Sequence, residues 1–95
     1  MKMILMVADA AQLDVIRADL RTLGASGYTA FPILEGAGRT GLHSGDRVHP
    51  GALAGLFVIE SDERADSLMD ALARAREVAG DPLTRLFLLP VERQA

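Results

Sequence analysis

The chain has no cysteine, no tryptophan, a single lysine and only four aromatic side chains in 95 residues. Without cysteine there can be no disulfide, no thiolate metal site and no thiol nucleophile. With aromatics at 4% and hydrophobic residues at 49%, the core has to be assembled from Leu, Ile, Val, Met and Ala. The lone lysine is Lys2, so positive charge is carried almost wholly by arginine. Guanidinium groups fork toward carboxylate or phosphate, which suits anion recognition at a cleft, although most of these arginines read as solvated helix-face charges. The net charge of −3 and a pI near 5.2 exclude the excess of clustered cations that a nucleic-acid surface requires. Long apolar runs are missing too. Met3–Ala8 stops at Asp9, short of the ~7–15 residues of a signal core, and nothing approaches the ~20 residues of a membrane span. The expectation is a cytoplasmic protein with no membrane insertion.

Length allows one domain, residues 1–95. Met3 to Ala8 is unbroken and apolar at strand length, as in a strand buried on both faces. Asp9 offers an N-cap and Gln12, three residues on, completes a capping-box pattern. Leu13, Ile16, Leu20 and Leu23 then recur at helical spacing until Gly24, placed where a left-handed residue closes a helix. Tyr28 to Leu34 reads as a second strand whose Pro32 cannot donate to a ladder, which assigns it to a sheet edge. From Gly36 to Pro50 periodicity vanishes and the segment reads as a loop. Ala52 to Glu60 is a third, continuously apolar strand. Ser61 or Asp62 caps a second helix with a stripe of Ala65, Leu68, Leu72, Ala75 and Ala79, Met69 alongside, ended by Gly80-Asp81-Pro82. Arg85 to Val91, with Pro90, is the fourth strand.

The order β-α-β-β-α-β is that of the ferredoxin-like split βαβ sandwich, an α+β fold with a four-stranded antiparallel sheet and two helices on one face. Strands one and three are central there and strands two and four are edges. Pro32 and Pro90 fall in the edge strands and both unbroken apolar runs in the central ones. Two helices cover one sheet face, yet Ile4, Met6 and Ala8 on one side and Met3, Leu5 and Val7 on the other are all apolar. An open second face would exceed the few hundred Å² of contiguous apolar surface that monomers tolerate. The sequence therefore predicts an oligomer.

Six of the nine glycines lie between Gly36 and Gly55. In Gly36-Ala37-Gly38-Arg39, positive φ would aim successive N–H groups into a concavity beside a guanidinium, a nest for phosphate or carboxylate. The same residues also read as a plain turn into a hairpin, and the spacing fits neither a Walker loop nor a dinucleotide fingerprint. His43 and His49, with Asp46 between them, supply imidazole and carboxylate suited to a divalent metal, completed by Glu35 or a neighbouring chain; the alternative is two solvated side chains. Catalysis has weaker footing. Ser44 beside His43 lacks an oriented third group, and Glu60 at a strand end suits a cap or an arginine partner. No enzymatic activity is expected.

Three ordered blocks carry a resemblance across nearly the whole chain: Leu13-Asp14-x-Ile16-Arg17-x-x-Leu20-x-x-x-Gly24-x-x-Gly27-Tyr28-Thr29, then Gly36-x-Gly38-Arg39, and Leu86-Phe87-Leu88-Leu89-Pro90-Val91-Glu92. In these the sequence resembles the nitrogen-regulatory PII family. The resemblance implies a homotrimer that buries the open sheet face at a three-fold axis, senses a small effector such as an adenine nucleotide (ATP, ADP or AMP) in clefts between subunits, and contacts a protein target through the loop 36–51. It implies further that Thr29 contacts adenine and that Gly36, Gly38 and Arg39 form the base of the target loop. The family's lysine-bearing phosphate loop is reduced here to Gly80-Asp81-Pro82, with Arg85 as the substitute. The arginine-rich phosphate clamp beyond the last strand is missing, and the loop has no tyrosine to uridylylate. The resemblance also admits a trimer that responds to a divalent metal through His43 and His49, since CutA-type cation-tolerance proteins share the trimeric fold.

Overall fold

In the computed structural model, which describes residues 1–38, 41–42 and 52–95, the first apolar run is strand β1 (Lys2–Asp9). The Asp9 carboxylate accepts from the Ala11 N–H at 2.9 Å and starts a short 3₁₀ turn, Ala10–Gln12, that leads into α1 (Leu13–Thr22). Gln12 does not reach back to close a capping box; its Oε1 accepts from Arg76 instead, at 3.3 Å. Ile16 and Leu20 face the core. The helix ends in a Schellman motif, with Ala25 N–H bonded to the Leu20 carbonyl, Gly24 N–H to that of Arg21, and Gly24 at φ +74°.

Strand β2 (Thr29–Ile33) follows, then the short strands β3 (Ala37–Gly38) and β4 (Gly41–Leu42), which pair with each other. The segment read as loop from Gly36 thus begins with a hairpin. Strand β5 (Leu53–Glu60) leads into α2 (Asp62–Val78), whose Ser61 hydroxyl caps the Arg64 N–H. Ala65, Leu68 and Leu72 are buried as the stripe predicted, but the last turn departs from it. Arg76 is buried there while Ala79 is exposed. Spacing favoured the alanine because it is apolar; the structure buries the guanidinium because carboxylates meet it. Strand β6 (Arg85–Pro90) completes the chain order.

The sheet runs β2-β5-β1-β6 with every neighbouring pair antiparallel, so the proline-bearing strands are the edges. Both helices lie on one face. There Ile4, Met6, Ala8, Leu56 and Val58 meet Ile16, Leu20, Leu68 and Leu72 in one core. Because side chains alternate along a strand, the residues between them point the other way.

Candidate functional site

That other face carries no helix. Register places Met3, Leu5 and Val7 of β1 beside Ile59, Phe57 and Gly55 of β5, and across from Leu89, Phe87 and Arg85 of β6. On the other flank, Thr29, Phe31 and Ile33 of β2 lie opposite Phe57, Gly55 and Leu53. The face is an apolar floor across all four strands, with Phe87 48% and Leu89 39% exposed. Gly55 is built into it. A Cβ there would stand 2.3 Å from Phe31 Cε2, so the Phe31 ring lies across the strand where a side chain would be, 6.2 Å from the centre of Phe57.

Two of the residues singled out by sequence sit on opposite rims of this floor. Thr29 is exposed on the β2 edge and Arg85 on the β6 edge. Three strand steps and two residues of offset put their Cα atoms roughly 16 Å apart, at opposite edges of the sheet. Gly36 lies past the end of β2, beside Leu53 of β5: a Cβ on it would stand 3.1 Å from Leu53 Cδ1. The only positive-φ glycines among the described residues are Gly24 and Gly80, so Gly36 serves close approach and not a left-handed turn. The nest geometry expected at this residue is not formed, and Gly38 pairs across the hairpin with Gly41. Arg39, His43 and His49 lie outside the described residues. Among the described residues no three His, Cys, Asp or Glu side chains gather as a metal site would require.

Arg85 emerges from a turn that is bonded to itself. Its Nη1 donates to the Pro82 carbonyl at 2.8 Å. The Asp81 carboxylate accepts from the Leu83 and Thr84 N–H groups, both at 3.2 Å, and from the Thr84 hydroxyl. Burial alone would raise the pKa of Asp81, but these bonds, with that from Arg76, outweigh it and hold the carboxyl below the usual carboxylate range. Arg76 also donates to Asp19 of α1 at 2.5 Å, and nothing in the sequence pattern marked this cluster, because Asp19 lies far along the chain from Arg76. Glu60 is equally structural. The Ser26 N–H at 2.8 Å, with Arg64 beside it, holds its carboxyl low despite burial, and it ties the end of β5 to the turn before β2. On the helical face a pocket of about 140 Å³ is lined by Leu23, Arg64, Ser67, Leu68 and Ala71. Its one charged group, Arg64, already donates to the Gly24 carbonyl at 2.6 Å and to Glu60 at 3.4 Å.

No helix of the described residues is long and apolar enough to cross a membrane. No curated protein matches the chain in sequence. Several solved structures share its fold. CPII, a nitrogen regulatory PII-like protein from Thiomonas intermedia K12 whose structure is bound to ADP, AMP and bicarbonate, superposes with a TM-score of 0.68 at 18% identity, covering 97% of this chain and 88% of its own. A DUF3240 family protein from Shewanella baltica OS155 gives 0.74 at 18% identity, over 99% and 92% of the two chains. A protein from Thermus thermophilus described as PII-like and signalling gives 0.64 at 22%, over 92% and 81%. The family model for nitrogen regulatory protein P-II matches residues 1–94, so the chain belongs to the P-II family.

Proposed function

We propose that this chain is a regulatory protein that works as a homotrimer, binding an adenine nucleotide or similar anion at the seams between copies and meeting a protein target through the loop 36–51. One observation carries the reading: Thr29 and Arg85 stand on opposite edges of a single apolar, helix-free sheet face. If that face packs against sister chains, covering about 500 Å² of it contributes on the order of 12 kcal/mol before the costs of association. In a ring the β2 edge of one copy turns toward the β6 edge of the next, so a threonine and an arginine separated by the width of one sheet become neighbours across a seam. Arginine there offers a planar fork for phosphate or carboxylate. ADP, AMP and bicarbonate bound in the structure of CPII, a protein of the same fold, support this class of effector. The reading is regulatory, with no catalytic step.

Calorimetric titration of ADP, AMP and bicarbonate into the purified protein tests it, with Arg85→Gln and Thr29→Ala as companions. Saturable nucleotide binding, weakened by both substitutions, is the expected result. Silence across all three ligands overturns the nucleotide and bicarbonate assignment.

A further inference from the structure

Arg76 occupies the last turn of α2 with its side chain only 4% exposed. Its Nη2 donates to Asp19 of α1 at 2.5 Å, and its Nη1 to Asp81 and to Gln12, both at 3.3 Å. Both forks of the guanidinium are therefore committed inside the protein, and it cannot itself reach a ligand. Nor does packing account for such a group, since a buried ion pair is often replaceable by apolar residues at little cost in stability. What it adds is fixed geometry, because a planar guanidinium holds two carboxylates in one orientation.

The element so fixed is the turn Gly80–Thr84. This turn has little apolar anchorage: Leu83 is 54% exposed, and its buried residue is the polar Thr84. Asp81 is its hub, gathering the Leu83 and Thr84 N–H groups and the Thr84 hydroxyl from within the turn and Arg76 from outside it. The exit of the turn is Arg85, whose guanidinium is folded back onto the Pro82 carbonyl. A continuous series of bonds thus runs from α1 through Arg76 and Asp81 to the turn that presents Arg85.

We propose that Arg76 is a positioning residue for anion binding: through Asp81 it locks the Gly80–Thr84 turn and thereby fixes where Arg85 is presented. This rests on the reading above in which Arg85 meets the anion. Asp81→Asn keeps Oδ1 for the Leu83 and Thr84 N–H groups and puts an NH2 group in place of Oδ2, which accepts from both Arg76 and the Thr84 hydroxyl; Thr84→Val, which removes that hydroxyl alone, is its control. Asp19→Asn is the counterpart: it weakens the α1 anchor and leaves the Arg76–Asp81 pair.

The experiment measures residue-resolved amide exchange in the turn and the affinities of ADP and of adenosine, for the parent, Asp81→Asn, Asp19→Asn, Thr84→Val and Arg85→Gln. In Asp81→Asn the Leu83 and Thr84 amides should exchange at least tenfold faster than in the parent and in Thr84→Val. ADP should bind about tenfold more weakly with adenosine unchanged, the size of one charge-assisted hydrogen bond lost. Asp19→Asn should lower the melting temperature while leaving both turn protection and the preference for ADP over adenosine intact. Unaltered turn exchange in Asp81→Asn overturns the proposal, as does an unaltered ADP preference in a protein whose preference Arg85→Gln abolishes. If the parent binds neither ADP nor adenosine, the nucleotide assignment fails separately. The lock is then decided by the turn amides, upheld if protection falls in Asp81→Asn but not in Asp19→Asn and rejected otherwise.

Discussion

Arg76 and Asp81 are bonded to each other twice. The Asp81 N–H donates to the Arg76 carbonyl at 3.0 Å, and the Arg76 guanidinium donates to the Asp81 carboxylate at 3.3 Å. The backbone bond belongs to the Schellman motif that ends α2, in which Gly80 takes φ +68° and bonds to the Glu77 carbonyl. The side-chain bond ties the same turn to α2 a second time, and the other terminal nitrogen of Arg76 donates separately to Asp19 of α1. Removing the guanidinium with Arg76→Met leaves the paired carboxylates in place without their counter-charge. A loss of about 3–5 kcal/mol is expected from urea unfolding at neutral pH, the magnitude for a buried pair broken on one side.

Gly55 and Gly27 make a matched test of the sheet floor. A methyl group on Gly55 collides with the Phe31 ring at 2.3–2.4 Å, whereas one on Gly27 meets nothing within 4 Å. Gly55→Ala should destabilise by about 1–3 kcal/mol, as overpacking does. Gly27→Ala should fall within about 0.5 kcal/mol of the parent. Thermal melts of the two side by side check the contrast.

Acid should unfold the protein through Glu60 and Asp81. Both carboxyls titrate lower in the folded chain than in the unfolded one, Glu60 chiefly because the Ser26 N–H bonds its charged form. Their contribution is therefore fully present above the unfolded values, about 4.3 for Glu and 3.9 for Asp, and is lost as pH falls through the lower folded values. Glu60→Gln should be less stable than the parent at pH 7 and should lose less on descending below about pH 4. Unfolding midpoints at neutral pH and on either side of the carboxylate range give the comparison.

Much of this architecture is legible before any coordinates, for definite reasons. Successive apolar residues in Met3–Ala8 and Ala52–Glu60 announce central strands, and Pro32 and Pro90 announce edges because proline has no N–H to give a ladder. Gly24 and Gly80 close their helices at positive φ as their places imply. Arg76 escaped, because periodicity asks only whether a residue is apolar and cannot see carboxylates that arrive from Asp19 and Asp81 in three dimensions. Gln12 escaped in the same way: its spacing from Asp9 fits a capping box, but Arg76 offers it another partner. Of the candidate site, the sequence marks Thr29 and Arg85 individually. That they occupy opposite rims of one face follows only from strand order and register.

Charge placed at the centre of the open face should separate the copies. Leu5 lies mid-sheet, between Phe57 and Phe87, so Leu5→Glu would bury an unpaired carboxylate if sister chains cover it. Size-exclusion chromatography with light scattering should report dissociated chains for this variant. Arg74→Glu, on the exposed side of α2, should leave the assembly unchanged.

In the proposed trimer, two further copies of this chain cover the helix-free sheet face and create the ligand seams. Sedimentation equilibrium of the unmodified protein at micromolar concentration tests it most directly. A particle of about three times the 10.1 kDa chain mass is the predicted outcome. Well-behaved single chains of 10.1 kDa across that range would contradict it.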